Sequence, residues 1–225
     1  MKRRLIDHRW VLPAAIWLAA FVIALPLDRP VYHLLFTPGS EHADWAMIFR
    51  ELGYLPTWLI VAALVWIADA YDPPRRRGVA ASCERRPAFH RAGLVVLSPL
   101  LGGIAANVLK PLLGRLRPDA EGFVHFAPRP DLLWGNGGDI GLGLPSGHTT
   151  TAFAACGMLA LLAPAWRIPM MLLASGCAAT RLLAGAHSLS DVVAGAGLGL
   201  AVAWALYAAG EGPRRGPAGG LIPRA

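Results

Sequence analysis

The sequence predicts an all-α integral membrane protein with six transmembrane helices and both termini in the cytoplasm. Composition is the first observation: of 225 residues, 55% are hydrophobic and 16% are charged, and the mean hydropathy is +0.47, values that are unusual for a soluble domain. The second observation is the spacing of the charged residues, which leaves six long apolar segments. The third is the uneven distribution of basic residues along the chain, which predicts the orientation.

A helix that crosses a bilayer needs about 20 mostly apolar residues, because the hydrocarbon core is about 30 Å thick and each residue rises about 1.5 Å. Six uncharged windows approach this length: Trp10–Leu27, Leu52–Ala68, Ala92–Leu109, Thr149–Trp166, Ile168–Thr180 and Val192–Gly210. The fifth window is the shortest, and it can continue to Ala186. The first follows a basic start but lacks a small-residue cleavage site, so we interpret it as a retained anchor rather than a signal peptide.

Two longer polar segments separate these windows. One is basic and proline-bearing and lies between the second and third windows; the other, rich in Gly, Pro and Asp, runs from Gly114 to Leu144. We expect a single domain over residues 1–225, with a functional core at residues 110–191 and a flexible tail at residues 211–225.

Basic residues predict the orientation, because cytoplasmic loops retain Lys and Arg. Fourteen of the 21 Lys and Arg residues fall on the side that carries both termini, and seven fall on the other. The loops after the first, third and fifth windows are therefore expected to be extracytoplasmic. The net charge of +7 is a topology signal on this interpretation. A nucleic-acid partner is disfavoured, because the basic residues are divided between two membrane faces.

Three polar clusters stand at the predicted outer ends of these helices. The first contains Lys110 and Arg117, whose spacing of seven predicts one helix face. Lys and Arg on one face can bind an anion with several oxygens. Anchoring of Lys110, Arg115 and Arg117 at lipid headgroups is an equally good interpretation of this cluster alone.

The second cluster is Pro145-Ser146-Gly147-His148, directly before the fourth window. Ser146 or Thr149 is placed to cap a helix, and Gly147 allows backbone N–H groups to approach an anion at the positive helix end. His148 would stand beside that anion and exchange a proton with it. A capped helix start with an interfacial histidine explains the same residues.

The third cluster contains Arg181, His187 and Asp191. His187 and Asp191 are one helical turn apart, so the carboxylate can hold one ring nitrogen and leave the other as a nucleophile. Ionisable residues at a membrane edge indicate function by default. A buried His–Asp pair that stabilises helix packing is the alternative.

Taken together and in this order, the three clusters resemble the three-part motif of the phosphatidic acid phosphatase type 2 superfamily. The resemblance covers Lys110 to Asp191, and the hydropathy pattern extends it over most of the chain. Thr180 departs from the family pattern, which usually has serine before the arginine; the hydroxyl is kept. The superfamily includes membrane lipid phosphatases, soluble acid phosphatases and vanadium haloperoxidases, and the six windows favour the membrane branch.

The resemblance implies a role for each matching residue. His187 would attack phosphorus and form a phosphohistidine, Asp191 would orient and stabilise its ring, and His148 would protonate the leaving oxygen. The phosphate would be bound by Lys110, Arg117, Ser146, Gly147 and Arg181. The expected enzyme is a metal-independent phosphatase without a cofactor, since the motifs offer three cations and no carboxylate set at metal-ligand spacing.

The expected substrate is a lipid phosphate monoester or diphosphate, cleaved at the extracytoplasmic face of a bacterial inner membrane. Undecaprenyl diphosphate, phosphatidylglycerol phosphate, phosphatidic acid and the phosphates of lipid A are the candidates that the resemblance implies. The sequence does not separate them, and we favour a prenyl diphosphate or a related bacterial lipid phosphate. A phosphotransferase with the same intermediate and a non-catalytic lipid-phosphate-binding protein are the alternatives. The segment from Asp119 to Leu144 is expected to be an ordinary surface loop, or else a lid or headgroup selector.

Overall fold

The computed structural model describes residues 11–71, 88–133 and 141–210, and these ranges form an all-α fold, as predicted. Seven α-helices occur in them: α1 Val11–Leu35, α2 Asp44–Glu51, α3 Leu55–Tyr71, α4 Ala88–Leu113, α5 Gly147–Leu162, α6 Arg167–Leu183 and α7 Leu189–Gly210. Three short 3-10 helices lie between them, at Ser40–His42, Pro130–Leu133 and Pro164–Trp166.

Helix α5 forms the centre of the bundle. It packs against α4, α6 and α7, and most of its side chains are buried, including Thr149, Thr150 and Met158. Its 16 residues span about 24 Å, which is shorter than the hydrocarbon core of a bilayer. Because neighbouring helices enclose it, its polar ends can be satisfied by protein groups rather than exposed to lipid.

Two glycines of α7 allow α5 and α7 to approach closely. A Cβ atom on Gly195 would lie 2.7 Å from the carbonyl oxygen of Ser146, and one on Gly199 would lie 2.4 Å from that of Thr150. Small residues one turn apart are typical of close helix contacts in membranes. The contact fixes the start of α5 against the start of α7, where the Ser146 N–H donates to the Asp191 carbonyl at 3.0 Å.

By length and composition, three of the described helices can cross a membrane alone: Val11–Leu35, Phe89–Leu113 and Leu189–Gly210. Asp44–Glu51 and Leu55–Ala68 qualify only as a pair, bent by 68°. The prediction of a helical membrane protein is confirmed. The count of six spans remains a prediction, because three spans, or four if the bent pair is one, qualify among the described residues. The cytoplasmic termini remain a prediction too, and residues 1–10 and the predicted tail at 211–225 lie outside the described residues.

Two differences between the predicted windows and the helices bear on the site. Helix α1 does not end at Leu27 but continues to Leu35, because Asp28 is buried and paired inside the protein. Helix α2 was not predicted. Its Phe49 packs on Gly176 of α6, where a Cβ would lie 2.3 Å from the Phe49 ring, while Trp45 and Ile48 are exposed. A short helix with one exposed apolar face is typical of the membrane interface.

Candidate active site

The three predicted clusters meet at one end of the bundle. Lys110 lies in the last turn of α4, Arg181 lies in the last turn of α6, and His148 is the second residue of α5. His187 lies in the turn between α6 and α7, and Asp191 lies in the first turn of α7. Because α7 begins at Leu189, the predicted helical turn from His187 to Asp191 is wrong, although the two residues are close. Residues up to 81 positions apart in sequence, Lys110 and Asp191, therefore come from four helix ends to one site.

His187 and Asp191 form a buried pair at this site. The His187 Nδ1 atom lies 3.5 Å from the Asp191 Oδ2 atom, and the two side chains are 2% and 0% exposed. The backbone N–H of Ser188 donates to the same carboxylate oxygen at 3.1 Å. Since Nδ1 faces the carboxylate, Nε2 is the ring nitrogen on the far side from Asp191, where a nucleophile is needed.

The surroundings of His187 favour its neutral form. Burial lowers the pKa of the imidazole from its ordinary value of 6.5, Asp191 opposes this effect, and the charges of Lys110 and Arg181 add to it. Desolvation penalises a charged ring more than a neutral one. At neutral pH the lone pair on Nε2 is consequently free to attack.

His148 is held between α5 and the corner that joins α2 to α3. Its ring meets the Tyr54 ring edge to face, with centroids 4.6 Å apart. Gly53 lies against the same side chain, since a Cβ on Gly53 would be 2.5 Å from the His148 Cδ2 atom. Among the described residues, the His148 Nε2 atom is buried without a hydrogen-bond partner. A substrate oxygen would be a suitable partner for it.

Positive charge surrounds the two histidines. The Lys110 Nζ atom would lie 3.7 Å from a Cβ on Gly147, and Gly147 begins α5, so its backbone N–H has no partner within the helix. The charges of Arg181, Lys110 and Arg50 all act on His148, and that of Arg117 acts on Arg181. Cations around a helix N-terminus form a site for an oxyanion.

Arg117 reaches this cluster by a different route from the one predicted. Helix α4 ends at Leu113, so the interpretation that Lys110 and Arg117 share a helix face is wrong. Gly114 turns the chain with φ of +62°, where a Cβ would clash with Pro128 at 2.2 Å. The segment that follows is extended, and the Arg117 N–H donates to the Gly141 carbonyl at 2.7 Å.

The segment from Asp119 to Leu144 is a surface loop only in part. Asp119 and Arg129 are exposed, but Leu142, Gly143 and Leu144 are buried. A Cβ on Gly143 would lie 2.8 Å from the Asp191 Oδ2 atom, so the end of this loop packs against the candidate catalytic carboxylate. Trp134 and Asp139 of this segment lie outside the described residues.

Four further residues at the site escaped the sequence analysis. Arg115, considered there as a headgroup anchor, is 1% exposed and pairs with Asp28 and Asp191. Asp28 carried a usable signal, since a carboxylate within an extended apolar helix indicates function; ending the first window there concealed it. Arg50 and Tyr54 carried none, because only the packing of α2 and α3 brings them to His148.

Ser146 occupies the N-cap position of α5, as expected, but its side chain does not cap the helix. Its hydroxyl oxygen instead accepts a hydrogen bond from the Thr149 hydroxyl at 3.0 Å. In the part of the chain that the structure describes, no three His, Cys, Asp or Glu side chains are grouped as a metal site would require. Metal independence stays a prediction.

Comparison with known proteins follows the same residues. A family model described as the PAP2 superfamily matches residues 91–214, which include all three clusters. A protein of Rhizobium etli named lipid A 1-phosphatase is 37% identical over 176 residues, covering 74% of this chain and 73% of that protein. The chain belongs to the PAP2 superfamily. Its membership confirms the predicted resemblance to the phosphatidic acid phosphatase type 2 proteins.

A second sequence relative and a solved structure are also similar to this chain. A lipid A 1-phosphatase of Rhizobium johnstonii is 38% identical over 103 residues, which are 44% of this chain and only 40% of that protein. The crystal structure of a transmembrane PAP2-type phosphatidylglycerolphosphate phosphatase from Bacillus subtilis superposes with a TM-score of 0.59 at 18% identity, covering 89% of this chain and 95% of that chain. The fold is therefore that of a membrane PAP2 protein. Together with the lipid A 1-phosphatase relative that covers 74% of this chain, it confirms the prediction of a phosphatase.

Proposed function

We propose that this PAP2 protein removes a phosphate group from a membrane lipid through a phosphohistidine formed on His187. The observation that carries the proposal is the buried His187–Asp191 pair, with Nδ1 and Oδ2 3.5 Å apart, placed within the field of His148, Lys110 and Arg181. A neutral imidazole beside a carboxylate is a nucleophile, and fixed cations stabilise the charge that spreads over a transferring phosphoryl group.

In the first step, the His187 Nε2 lone pair forms a bond to phosphorus while the bond from phosphorus to the lipid oxygen breaks. The electron pair leaves with that oxygen, which takes a proton from His148. Burial and the charge of Arg181 lower the pKa of His148 to about 3 in the free protein, so the negative charge of the bound phosphate is needed to keep this ring protonated. The ring of His187 becomes positive, and Asp191 stabilises it. Lys110, Arg117, Arg181 and the Gly147 N–H bind the nonbridging oxygens, with Ser146 supporting the start of α5.

In the second step, His148, now neutral, takes a proton from a water molecule whose oxygen attacks phosphorus. The bond from phosphorus to Nε2 breaks, and its electron pair returns to His187. Inorganic phosphate leaves, and both histidines recover their starting states. An alcohol in place of water would give phosphotransfer, so added alcohols test whether product is diverted from free phosphate.

The relatives favour the 1-phosphate of lipid A among the candidate substrates, since two proteins of that name are 37% and 38% identical to this chain. The site lies at helix ends rather than mid-bundle, which suits a substrate whose acyl chains remain in the bilayer. We place this end at the extracytoplasmic face, because the basic residues of the other loops and termini predict that those are cytoplasmic. A reporter fused to the C-terminus, active only in the cytoplasm, tests this orientation; activity of a reporter that requires export contradicts it.

Arg50 extends the phosphate-binding cluster. Its guanidinium carbon lies 5.9 Å from the centre of the Tyr54 ring, and its charge acts on both His148 and Arg181. The Arg50 Nε atom is buried without a hydrogen-bond partner among the described residues. An oxygen of the phosphate or of the adjoining headgroup would satisfy it.

The direct experiment is phosphate release by purified protein in detergent from lipid A, phosphatidylglycerol phosphate, phosphatidic acid and undecaprenyl diphosphate. Wild type should release phosphate from lipid A in preference to the others, and His187→Ala should be inactive. His42→Ala is the matched control, because His42 is exposed. Activity retained in His187→Ala would contradict the proposed mechanism. Binding of the lipid phosphate by wild type without release of phosphate would favour the non-catalytic alternative.

The intermediate can be observed directly. With p-nitrophenyl phosphate labelled at phosphorus, whose leaving group needs no acid, His148→Ala should accumulate labelled protein, because loss of the base slows hydrolysis of the phosphohistidine. The label should be stable in base and labile in acid, as a phosphorus–nitrogen bond requires, and absent from His148→Ala/His187→Ala. Label that survives acid would indicate a different nucleophile.

A further inference from the structure

Helix α1 contributes a buried carboxylate to this end of the bundle. Asp28 is 6% exposed. Its two oxygens accept hydrogen bonds from the Ser190 N–H at 2.7 Å and from the Ser190 hydroxyl at 2.6 Å. Arg115 donates to the same carboxylate. Asp28 lies outside the residues 91–214 that match the family model, so the contact is between α1 and the core of the superfamily fold.

Arg115 joins this carboxylate to the candidate catalytic pair. Its Nη2 atom binds Asp28, and its Nη1 atom lies 3.2 Å from the Asp191 Oδ1 atom. Nη1 also donates to the Ser190 hydroxyl oxygen, and the O–H of Ser190 in turn donates to Asp28. The other oxygen of Asp191 faces His187 at 3.5 Å. A continuous chain of buried contacts therefore runs from Asp28 through Arg115 and Asp191 to His187.

The charges of Asp28, Arg115 and Asp191 do not cancel. Two carboxylates share one guanidinium, so the cluster carries one net negative charge while His187 is neutral. Buried charge is costly unless it is paired. The charge becomes paired when His187 turns positive, which happens during the proposed transfer to Nε2. The cluster therefore favours the state in which the ring carries the phosphoryl group.

We infer that Asp28 and Arg115 are positioning residues for the His187–Asp191 pair, and that Asp28 maintains the negative field at His187 by sharing the charge of Arg115. Without Asp28, the guanidinium would belong to Asp191 alone and neutralise it. Without Arg115, the two carboxylates would repel each other and Asp191 would lose its fixed orientation. This inference rests on the proposed function, because it assumes that His187 is the nucleophile.

The test is the pH profile of kcat/KM and the separate values of kcat and KM for Asp28→Asn and Arg115→Gln. Both changes should lower kcat by about 10- to 100-fold with little change in KM, the range seen for outer partners of ligating histidines. The acidic limb should move in opposite directions, to lower pH in Asp28→Asn and to higher pH in Arg115→Gln. A movement on the order of one pH unit is expected, because the altered charges belong to the buried contacts that lead to His187, where an effective dielectric constant of about 20 screens them much less than water does.

A merely structural role of Asp28 and Arg115 would not move the acidic limb in opposite directions in the two variants. The other charged groups that act on His187 are Lys110 of α4 and Arg181 of α6, with His148 of α5 coupled to the same ring; none of them is altered. In the double variant Asp28→Asn/Arg115→Gln, the two effects should offset, returning the limb toward that of wild type. The inference is overturned if the acidic limb of the kcat/KM profile does not move, or if it moves in the same direction in both single variants.

The exposed ion pair of Arg129 and Asp131, 2.8 Å apart with side chains 53% and 59% exposed, supplies the matched control, and Asp131→Asn should behave as wild type. If Asp28→Asn does not fold, Ser190→Ala removes only the bridging hydroxyl; it should lower kcat several-fold, and unchanged kcat overturns the inference. Inactive His187→Ala beside active wild type keeps the proposed function standing whichever way these variants behave.

Discussion

Gly53→Ala is predicted to impair the function of His148 although His148 itself is not substituted. The added Cβ would lie 2.5, 2.6 and 2.8 Å from the Cδ2, Cβ and Cγ atoms of His148, where ordinary contact begins at 3.4 Å. Because the His148 Cβ is tied to the backbone of α5, rotation of the ring cannot relieve the contact. The imidazole or the corner between α2 and α3 must move by about 1 Å, a displacement that can cost about 100-fold in rate.

The assay follows the two proposed roles of His148. With the lipid substrate, kcat of Gly53→Ala should fall by about 100-fold, because both protonation of the leaving oxygen and activation of water are impaired. With p-nitrophenyl phosphate, whose leaving group needs no acid, the variant should release one equivalent of nitrophenol rapidly and then turn over slowly. The burst reports that His187 still attacks while hydrolysis of the intermediate is slow.

Gly93→Ala is the matched control. Gly93 lies within α4, and a Cβ there would meet nothing within 4 Å, so alanine should stabilise α4 by about 0.5–1 kcal/mol and leave kcat unchanged. Overpacking at Gly53 should cost about 1–3 kcal/mol of stability, read from unfolding in detergent. Gly53→Ala with wild-type kcat on the lipid substrate would refute the reasoning that this corner fixes His148.

Four further outcomes are expected. The acidic limb of kcat/KM should lie below pH 6.5, because burial lowers the pKa of His187 and activity is lost only as pH falls through that value; a limb above pH 7 would contradict this. Arg50→Ala should raise KM for the lipid about 10-fold through loss of a charge-assisted hydrogen bond, whereas Arg29→Ala, whose guanidinium lies over the Phe123 ring at 4.2 Å, should not. Gly143→Ala should lower kcat and stability together, because its Cβ would lie 2.8 Å from the Asp191 carboxylate; full activity would show that the loop yields. Saturating chelator should leave phosphate release unchanged, and inhibition reversed by added metal would refute metal independence.

Helix α1 contributes to the candidate active site as well as to the membrane anchor. The N-terminal helix was expected to serve as an anchor, and it also packs on α7, where the Trp17 indole N–H donates to the Val193 carbonyl at 2.8 Å. Through Asp28 the same helix reaches the Arg115–Asp191 contact. An anchor that also supplies a buried charge cannot be exchanged for another apolar helix without affecting the site.

The sequence by itself determined the helical membrane class, the superfamily and the three polar clusters. Long apolar windows leave few alternatives, since a spanning segment must satisfy its own backbone hydrogen bonds. The clusters were recognisable because Ser146-Gly147-His148 and His187 with Asp191 are close in sequence, so short local rules predict their proximity.

Only the tertiary structure decided which distant side chains complete the site. Asp28 contacts Ser190, which is 162 positions away in the sequence. Tyr54, in the corner between α2 and α3, contacts the ring of His148 in α5. No local periodicity relates such distant residues. The same holds for Arg117, which reaches the site by leaving the helix at Gly114 rather than by helical phase. Burial explains these outcomes, because a charged group removed from water must find partners wherever the packed chain provides them.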